Sequence, residues 1–352
     1  MRDFKDLSRD ELKSLLKSLG LSAYTADQLF SWVYKRRIED FSRMSDLSKA
    51  ARQALPKALS FFSPGIKQQQ VSCDGTLKFL LELRDANCVE AVVIPKEKRR
   101  ALCLSTQVGC KFNCSFCQSG KGGFIRDLSC SEIVGEFLAA QDSIKPEKVS
   151  HVIFMGIGEP LDNLASVAKA INIISDNHGI GLGPRRITIS TCGLPDKIRE
   201  LADMDLGIQL CVSLHATNDT MRSKLMPVNK IYPLSQVLAA AKYFAKKDKE
   251  PVTFEYVLID GFNASLADAH ALVRLLAQVS AKVNLIPINP VKNFPATWPS
   301  NFNGASSSAA SGLAAARIFQ KELEKKGLFA TIRHSRGADI SAACGQLRAR
   351  AK

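Results

Sequence analysis

The segment QVGCKFNCSFCQSG, residues 107–120, puts Cys110, Cys114 and Cys117 within eight positions, spaced C-x3-C-x2-C. The spacing is too tight to span separate elements, so the three thiolates converge from one loop. Structural zinc normally closes its site with four ligands, often as two paired-cysteine knuckles. No second knuckle is present; the other seven cysteines are scattered and none of the five histidines forms a pair. A cubic [4Fe–4S] cluster takes one thiolate per iron. Three cysteines therefore leave one iron open to an outside molecule, a feature an enzyme can use. Zinc, or a chance grouping, is the competing reading.

Outward from this loop the chain alternates. Strand candidates are ALCLST, VSHVIFMG, RRITIST, IQLCVSL, VTFEYVLI, KVNLIPIN and FATIRHS. Helical stretches between or after them include SEIVGEFLAAQ, LASVAKAINIISD, LSQVLAAAKYFAK, SLADAHALVRLLAQ and SGLAAARIFQKELEKKG. Such alternation predicts an α/β fold, a parallel sheet with helices outside. Six or so units predict an open, partial (β/α)6-type barrel over residues 98–352. In barrels of this kind the chemistry collects at the carboxyl ends of the strands. That edge carries Cys103 and the cysteine loop, then Gly156, Gly158 and Glu159, Ser190 and Thr191, Ser213, Leu214 and His215, and finally Asn289. The Ser/Ala-rich SNFNGASSSAAS at 300–311 reads as a flexible insertion.

Residues 1–60 read as a small helical domain. Ser8 and Glu11 form a capping-box pair and Gly20 a stop, a second helix runs through TADQLFSWVYKRR, and a third lies in SDLSKAARQALPKAL. Residues 61–97, with KFLLEL and CVEAVVIP around RDAN, predict a β-hairpin linker. Apolar residues make up 46 % of the 352, and no run approaches a membrane span. The start lacks a secretory h-region and the cysteines are not a disulfide framework, so a cytoplasmic protein is expected. Lys plus Arg exceed Asp plus Glu by 48 to 34. Basic groups at Lys35–Arg37, Lys96–Arg100, Arg185–Arg186 and Arg348–Lys352 suggest a polyanionic partner, with a solvated surface as the plain alternative.

The cysteine spacing and its strand–loop–helix context resemble the radical S-adenosylmethionine (SAM) superfamily. The resemblance implies that SAM fills the open iron, with GIGEP (Gly158, Glu159) receiving its amino group and Ser190, Ser213, Leu214, His215 and Asn289 further contacts. ALCLSTQVGCKFNCSFCQSG, GIGEPLDN, RRITISTCG, VSLHATND, RSKLMPVNKIYP, KVNLIPINP and RGADISAACGQL, over residues 70–348, resemble the RlmN/Cfr family of RNA adenine methyltransferases. That likeness implies two SAM molecules per turnover. Cys344 would carry a methyl group that becomes a covalent bridge to RNA, Cys103 would resolve it through a disulfide, and Glu90 would act as base. Implied substrates are 23S rRNA and tRNA, with a flavodoxin-type electron donor and a monomeric enzyme. GIGEP and RGADI are closer to the RlmN branch, which methylates adenine C2, than to the Cfr branch, which methylates C8. Cys192, Gln118–Ser119 and the Val291–Gly312 segment depart from the family pattern. Two other readings are a non-catalytic RNA-binding protein with a structural cluster and a radical SAM enzyme acting on a small molecule.

Overall fold

A computed structural model describes residues 1–287 and 309–349. The first unit packs three helices, α1 (Arg9–Ser18), α2 (Tyr24–Phe30) and α3 (Lys49–Ala58). Ser8 caps α1 reciprocally with Glu11, as the sequence predicts. The second helix is not continuous: α2 passes into a π-helical turn at Ser31–Lys35, and Arg37 takes a positive φ of 58° beyond it. Leu29, Trp32 and Val33 are all buried. Phe4 centres this core, 5.9 Å from the Phe30 ring and 5.5 Å from Phe61. Beside it the fully buried Lys5 gives its ammonium to the Phe62 carbonyl (2.6 Å), the Ser63 hydroxyl (2.9 Å) and Glu39 (2.7 Å).

The rest of the chain is organised on one ten-stranded sheet. Four antiparallel strands begin it: β1 (Gly65–Val71), β2 (Leu77–Glu82), β3 (Cys88–Lys96) and β4 (Arg99–Cys103). The expected hairpin is thus the edge of the main sheet. Its outer strand, GIKQQQV, escapes a pattern search because an exposed edge needs no apolar alternation. A short hairpin follows, β5 (Gln107–Gly109) with β6 (Phe124–Asp127), enclosing the three-cysteine loop.

From β4 onward the sheet is parallel. Next to β4 come, in order, β7 (His151–Phe154), β8 (Ile187–Thr191), β9 (Gln209–Ser213), β10 (Val252–Leu258), β11 (Ala281–Pro287) and β12 (Ala330–Ile332). Helices join them: α4 (Cys130–Ser143), α5 (Leu164–Ser175), α6 (Pro195–Asp203), α7 (Asp219–Leu225), α8 (Leu234–Asp248), α9 (Leu266–Leu276) and α10 (Ala309–Lys325). The five helices expected here are present; α6 and α7 were not foreseen. Their signals are short: Pro195 opens α6 and Ile198, Leu201 and Ala202 make its buried stripe, while Asn218 caps α7. β10 is buried along its whole length, as a central parallel strand is. The order β4-β7-β8-β9-β10-β11-β12 is the open parallel array predicted from the alternation. Asn289 and nearly all of the Val291–Gly312 departure lie outside the described residues.

Lys5 ties the first unit to the segment entering the sheet. Lys5→Met removes three polar contacts and leaves the Phe62 carbonyl without this donor, so unfolding free energy should fall by about 2 kcal/mol. Chemical denaturation checks this, and a midpoint equal to that of the parent would refute it.

Candidate active site

The carboxyl ends of the parallel strands open on a cavity. Its wall includes Cys110, Cys114 and Cys117 from the loop, Gly156, Gly158 and Glu159 after β7, Ser190 and Cys192 around the end of β8, and Ser213 and His215 at the end of β9. The loop is pinned at several points. The Cys110 N–H donates to the Gly123 carbonyl (3.0 Å) and the Ser115 N–H to Leu225 at the end of α7 (2.9 Å). Asn113, between the first two cysteines, adopts a positive φ of 45°.

All three loop cysteines are unpaired thiols. Burial pushes the Cys110 thiol up to about 12 and raises Cys114 as well, each further raised by a neighbouring loop cysteine. Held apart from water, Cys110 and Cys114 become thiolates only with a cation to receive them. Among the described residues no three His, Cys, Asp or Glu side chains close on a single ion. A one-ion zinc knuckle needs that closure; a cluster, which gives each thiolate its own iron, does not. The donor set therefore fits a three-thiolate iron–sulfur cluster.

The turn after β7 is built around that loop. Gly158 has φ +107°, and a Cβ there would lie 2.7 Å from the Gln107 Cβ. The Ile157 N–H donates to the Ser105 hydroxyl (2.9 Å) and the Glu159 N–H to the Gln107 side-chain carbonyl (2.9 Å), so the turn is moulded onto the strand before the cysteines. The buried Glu159 carboxylate accepts the N–H groups of Cys192 (2.7 Å) and Leu161 (3.1 Å). Burial raises its pKa and those two amides oppose the rise. His215 has a left-handed backbone, φ 58°, and its ring stands edge-on to Phe116 of the loop at 4.7 Å. Its Nδ1 accepts the Val257 N–H (3.1 Å). Burial, helped by Arg222, pulls its pKa down to about 3, so the imidazole is neutral.

A second cavity adjoins the first and is lined by Cys103, Arg333, Arg336 and Cys344 among others. Cys344 lines both. It is exposed, and the surface it offers faces these two spaces. Cys103, by contrast, is buried, and its thiol is pushed up to about 12 by that burial and by Cys344. Burial also raises Cys344, with the Arg333 guanidinium pulling the other way.

Three parts of the chain clamp the loop that carries Cys344. At the β1–β2 turn, Asp339 accepts the Ser72 hydroxyl (2.5 Å) and the Cys73 N–H (3.1 Å), and Asp74 accepts the Gly337 N–H (3.0 Å). After the cysteine loop, the Gln118 N–H donates to Gly345 (2.7 Å) and the Ser119 hydroxyl to Leu347 (2.9 Å). On β3, the Glu90 carboxylate accepts the Arg348 N–H (2.7 Å) and pairs with Lys78 (3.2 Å).

Comparison with known proteins decides what this arrangement belongs to. Residues 104–273 match the radical SAM superfamily, and residues 2–60 match the ribosomal RNA large subunit methyltransferase N-terminal domain. The chain is 41 % identical to the dual-specificity RNA methyltransferase RlmN of Campylobacter fetus, over all of this chain and 99 % of that one. It is 43 % identical to the probable RlmN of Petrotoga mobilis, over 99 % and 97 %. The chain belongs to the RlmN family. A solved radical SAM methyltransferase from Sphaerobacter thermophilus superposes with a TM-score of 0.88 at 37 % identity, covering 99 % of this chain and all of that one. As a radical SAM methyltransferase the protein uses a [4Fe–4S] cluster and SAM.

The expected site residues divide into four groups. The three loop cysteines, Gly158, Glu159, Ser190, Ser213, His215 and Cys344 share the first cavity, and Cys103 lies on the second. Leu214 is fully buried behind the wall, its N–H bonded to the Glu255 carbonyl (3.0 Å). Glu90 is on neither wall; it is buried, not solvent-facing as a plain strand reading would have it. Asn289 is outside the described residues.

One pair was missed. Glu255 and Arg333 join across the wall at 3.1 Å, and the Ser190 hydroxyl reaches the other Glu255 oxygen at 3.5 Å. The signal for Glu255 was a charge in the otherwise apolar VTFEYVL; for Arg333 it was its place just past the end of β12.

The neutral His215 has a consequence for pH. Its folded pKa, about 3, lies below its usual 6.5, so between those values the unfolded chain binds the extra proton. Its share of stability is complete above pH 6.5 and is lost on acidification, by up to about 1.4 kcal/mol per pH unit. Asn keeps an acceptor for Val257 and tolerates the left-handed backbone. Denaturation midpoints of His215→Asn should fall less steeply than the parent's between pH 6.5 and 4.5; parallel curves would contradict the assignment.

Proposed function

We propose that the protein methylates carbon 2 of an adenosine in 23S rRNA, in the peptidyl-transferase region, and of the adenosine 3′ of the anticodon in tRNA. The observation that carries this reading is Cys344, the one cysteine common to the cavity of the three-cysteine loop and the cavity of Cys103. C2 lies between two ring nitrogens and is a poor nucleophile, so direct attack on a SAM methyl group fails. A carbon carrier that visits both a SAM site and an RNA base solves the problem.

Cys110, Cys114 and Cys117 would hold the cluster, which when bound supplies the electron that cleaves SAM. Gly158, Glu159 and Ser190 line the space where SAM would sit, and the neutral His215 adds no charge to repel its sulfonium. Cys344 as thiolate takes a methyl group from a first SAM, releasing S-adenosylhomocysteine. Arg333 favours that thiolate, being itself raised chiefly by the Cys344 charge. After the carrier carbon has joined C2, Cys103 attacks the Cys344 sulfur. The sulfur–carbon electron pair goes to the carbon, which takes up the proton shed by the Cys103 thiol to complete the methyl group. A Cys103–Cys344 disulfide forms, and the methylated base leaves. Glu90 as base for the ring proton would need Lys78 and the Arg348 amide to release its carboxylate.

The positions of the charged groups support RNA contacts near the cavities. Lys96–Arg100 and Arg185–Arg186 sit at the amino ends of β4 and β8, opposite the cavities. Arg37 is already paired with Asp142 and Arg185 with Asp248. Phosphate contacts close to the target base fall instead to His334 and Arg336, at the second cavity, the latter held only loosely by Asp74 at 4.0 Å. A flavodoxin-type electron donor and a monomeric, cytoplasmic enzyme complete the reading. Among the described residues no helix is long and apolar enough to cross a membrane.

Nucleoside analysis of rRNA and tRNA, from cells with and without the gene, should show 2-methyladenosine in both only when it is present. Finding 8-methyladenosine instead would refute the C2 assignment. Cys344→Ala should abolish methylation. Cys103→Ala should keep the protein attached to RNA, seen as a nuclease-sensitive shift on a denaturing gel; freely turning over Cys103→Ala enzyme would sink the resolving role.

A further inference from the structure

Arg222 on α7 is fully buried. Its guanidinium donates to the carbonyls of Cys192 (2.7 Å), Ser213 (2.9 Å) and Leu214 (3.2 Å) and to the Asn229 side-chain carbonyl (3.0 Å). Every one of these acceptors is neutral, and among the described residues Arg222 makes no ion pair. Arginine keeps its charge inside proteins. A buried charge normally has a counter-charge, because leaving it alone is expensive. The acidic groups that bear on it are Cys192, the loop cysteine Cys114 and, on its own helix, the Asp219 carboxylate, which makes no ion pair with it. The helix that carries Arg222 also touches the loop, through the bond from the Ser115 N–H to the Leu225 carbonyl. Arg222 is not on the cavity wall, so it acts on the site through its field and not by contact with SAM.

We propose that Arg222 is a positioning residue for the cluster's charge: a built-in cation that offsets three thiolates and raises the potential at which the cluster accepts its electron. This rests on reading Cys110, Cys114 and Cys117 as cluster ligands. Each cluster takes on further negative charge when reduced, and a fixed positive charge in a low-dielectric interior favours that state. The three carbonyls hold the guanidinium in place without neutralising it. His215, although close to Arg222, contributes no positive charge of its own.

The test is a redox titration of full-length, cluster-loaded protein followed by electron paramagnetic resonance. Arg222→Gln removes the charge. Asn229→Asp leaves the arginine in place and sets a carboxylate against it, at the cost of the bonds the Asn229 amide donates to the Asp219 carbonyl (3.1 Å) and the Ser223 hydroxyl (2.9 Å). At the solution potential that half-reduces the parent, both variants should show a reduced fraction several-fold lower, while Arg222→Lys stays close to the parent. Equal reduction of all four proteins overturns the proposal. A fall in Arg222→Gln alone, with Asn229→Asp unchanged, also overturns it, since that is the mark of a scaffold contact. Should Arg222→Gln fail to fold, Asn229→Asp against the parent decides the matter by itself. Parent protein that takes up no iron cluster would instead refute the ligand assignment on which the proposal rests.

Discussion

The position of Cys344 is set by polar contacts and not by secondary structure. Among the described residues the segment after β12 has only one short helical turn, Ala338–Ile340, so little regular structure fixes it. Asp74, Asp339, Glu90, Gln118 and Ser119 do so, from the sheet edge on one side and from the cysteine loop on the other. Gly345 shows how close the approach is: with φ +80°, a Cβ there would stand 2.7 Å from the Phe116 carbonyl. The antiparallel strands thus have a purpose beyond linking two units. They supply the turn and the carboxylate that hold the chain's end over the mouth of the parallel array.

The same economy governs charge at the site. Burial drives its thiols, Glu159 and His215 toward their neutral forms, while Arg333, paired with Glu255, and Arg222 keep fixed positive charge near sulfur. A site that must turn thiols into thiolates at chosen moments is served by such a background. Solvent would blur the distinction between the three loop cysteines, Cys344 and Cys103. The protein draws that distinction by surroundings alone: Cys103 sealed, Cys344 open to two cavities, and the loop cysteines partly covered.

Legibility in the sequence followed the range of each interaction. The cysteine loop, the GIGEP turn and the rim residues Ser190, Ser213 and His215 could be read because each sits at the end of a strand whose own pattern is local. The parallel order and most of the helices were legible for the same reason. Cys344 stood out only through resemblance, since an AACGQL segment carries no local sign that it folds back onto residues 72–119. Glu255, Arg333 and Arg222 were invisible singly; each matters for a partner on another strand or loop. β1 and α6 were lost because one is an exposed, mostly polar edge and the other is only nine residues long. The basic clusters were legible as charge, but composition does not say which end of a strand a residue occupies.

The two-cavity arrangement also limits what substitutions near Cys344 can do. Met155 and Ile286 line both spaces, so they form the partition that Cys344 spans. An apolar partition offers no hydrogen bond to a molecule in either space, and among the described residues the Cys344 thiol is the one nucleophile common to both. The departures at Gln118–Ser119 fit within this scheme. The Gln118 backbone and the Ser119 side chain hold the Cys344 loop through its carbonyls. A carbonyl clamp needs only a donor, whatever the side chain that brings it, so the family pattern can vary there while the carrier sulfur stays where both cavities meet.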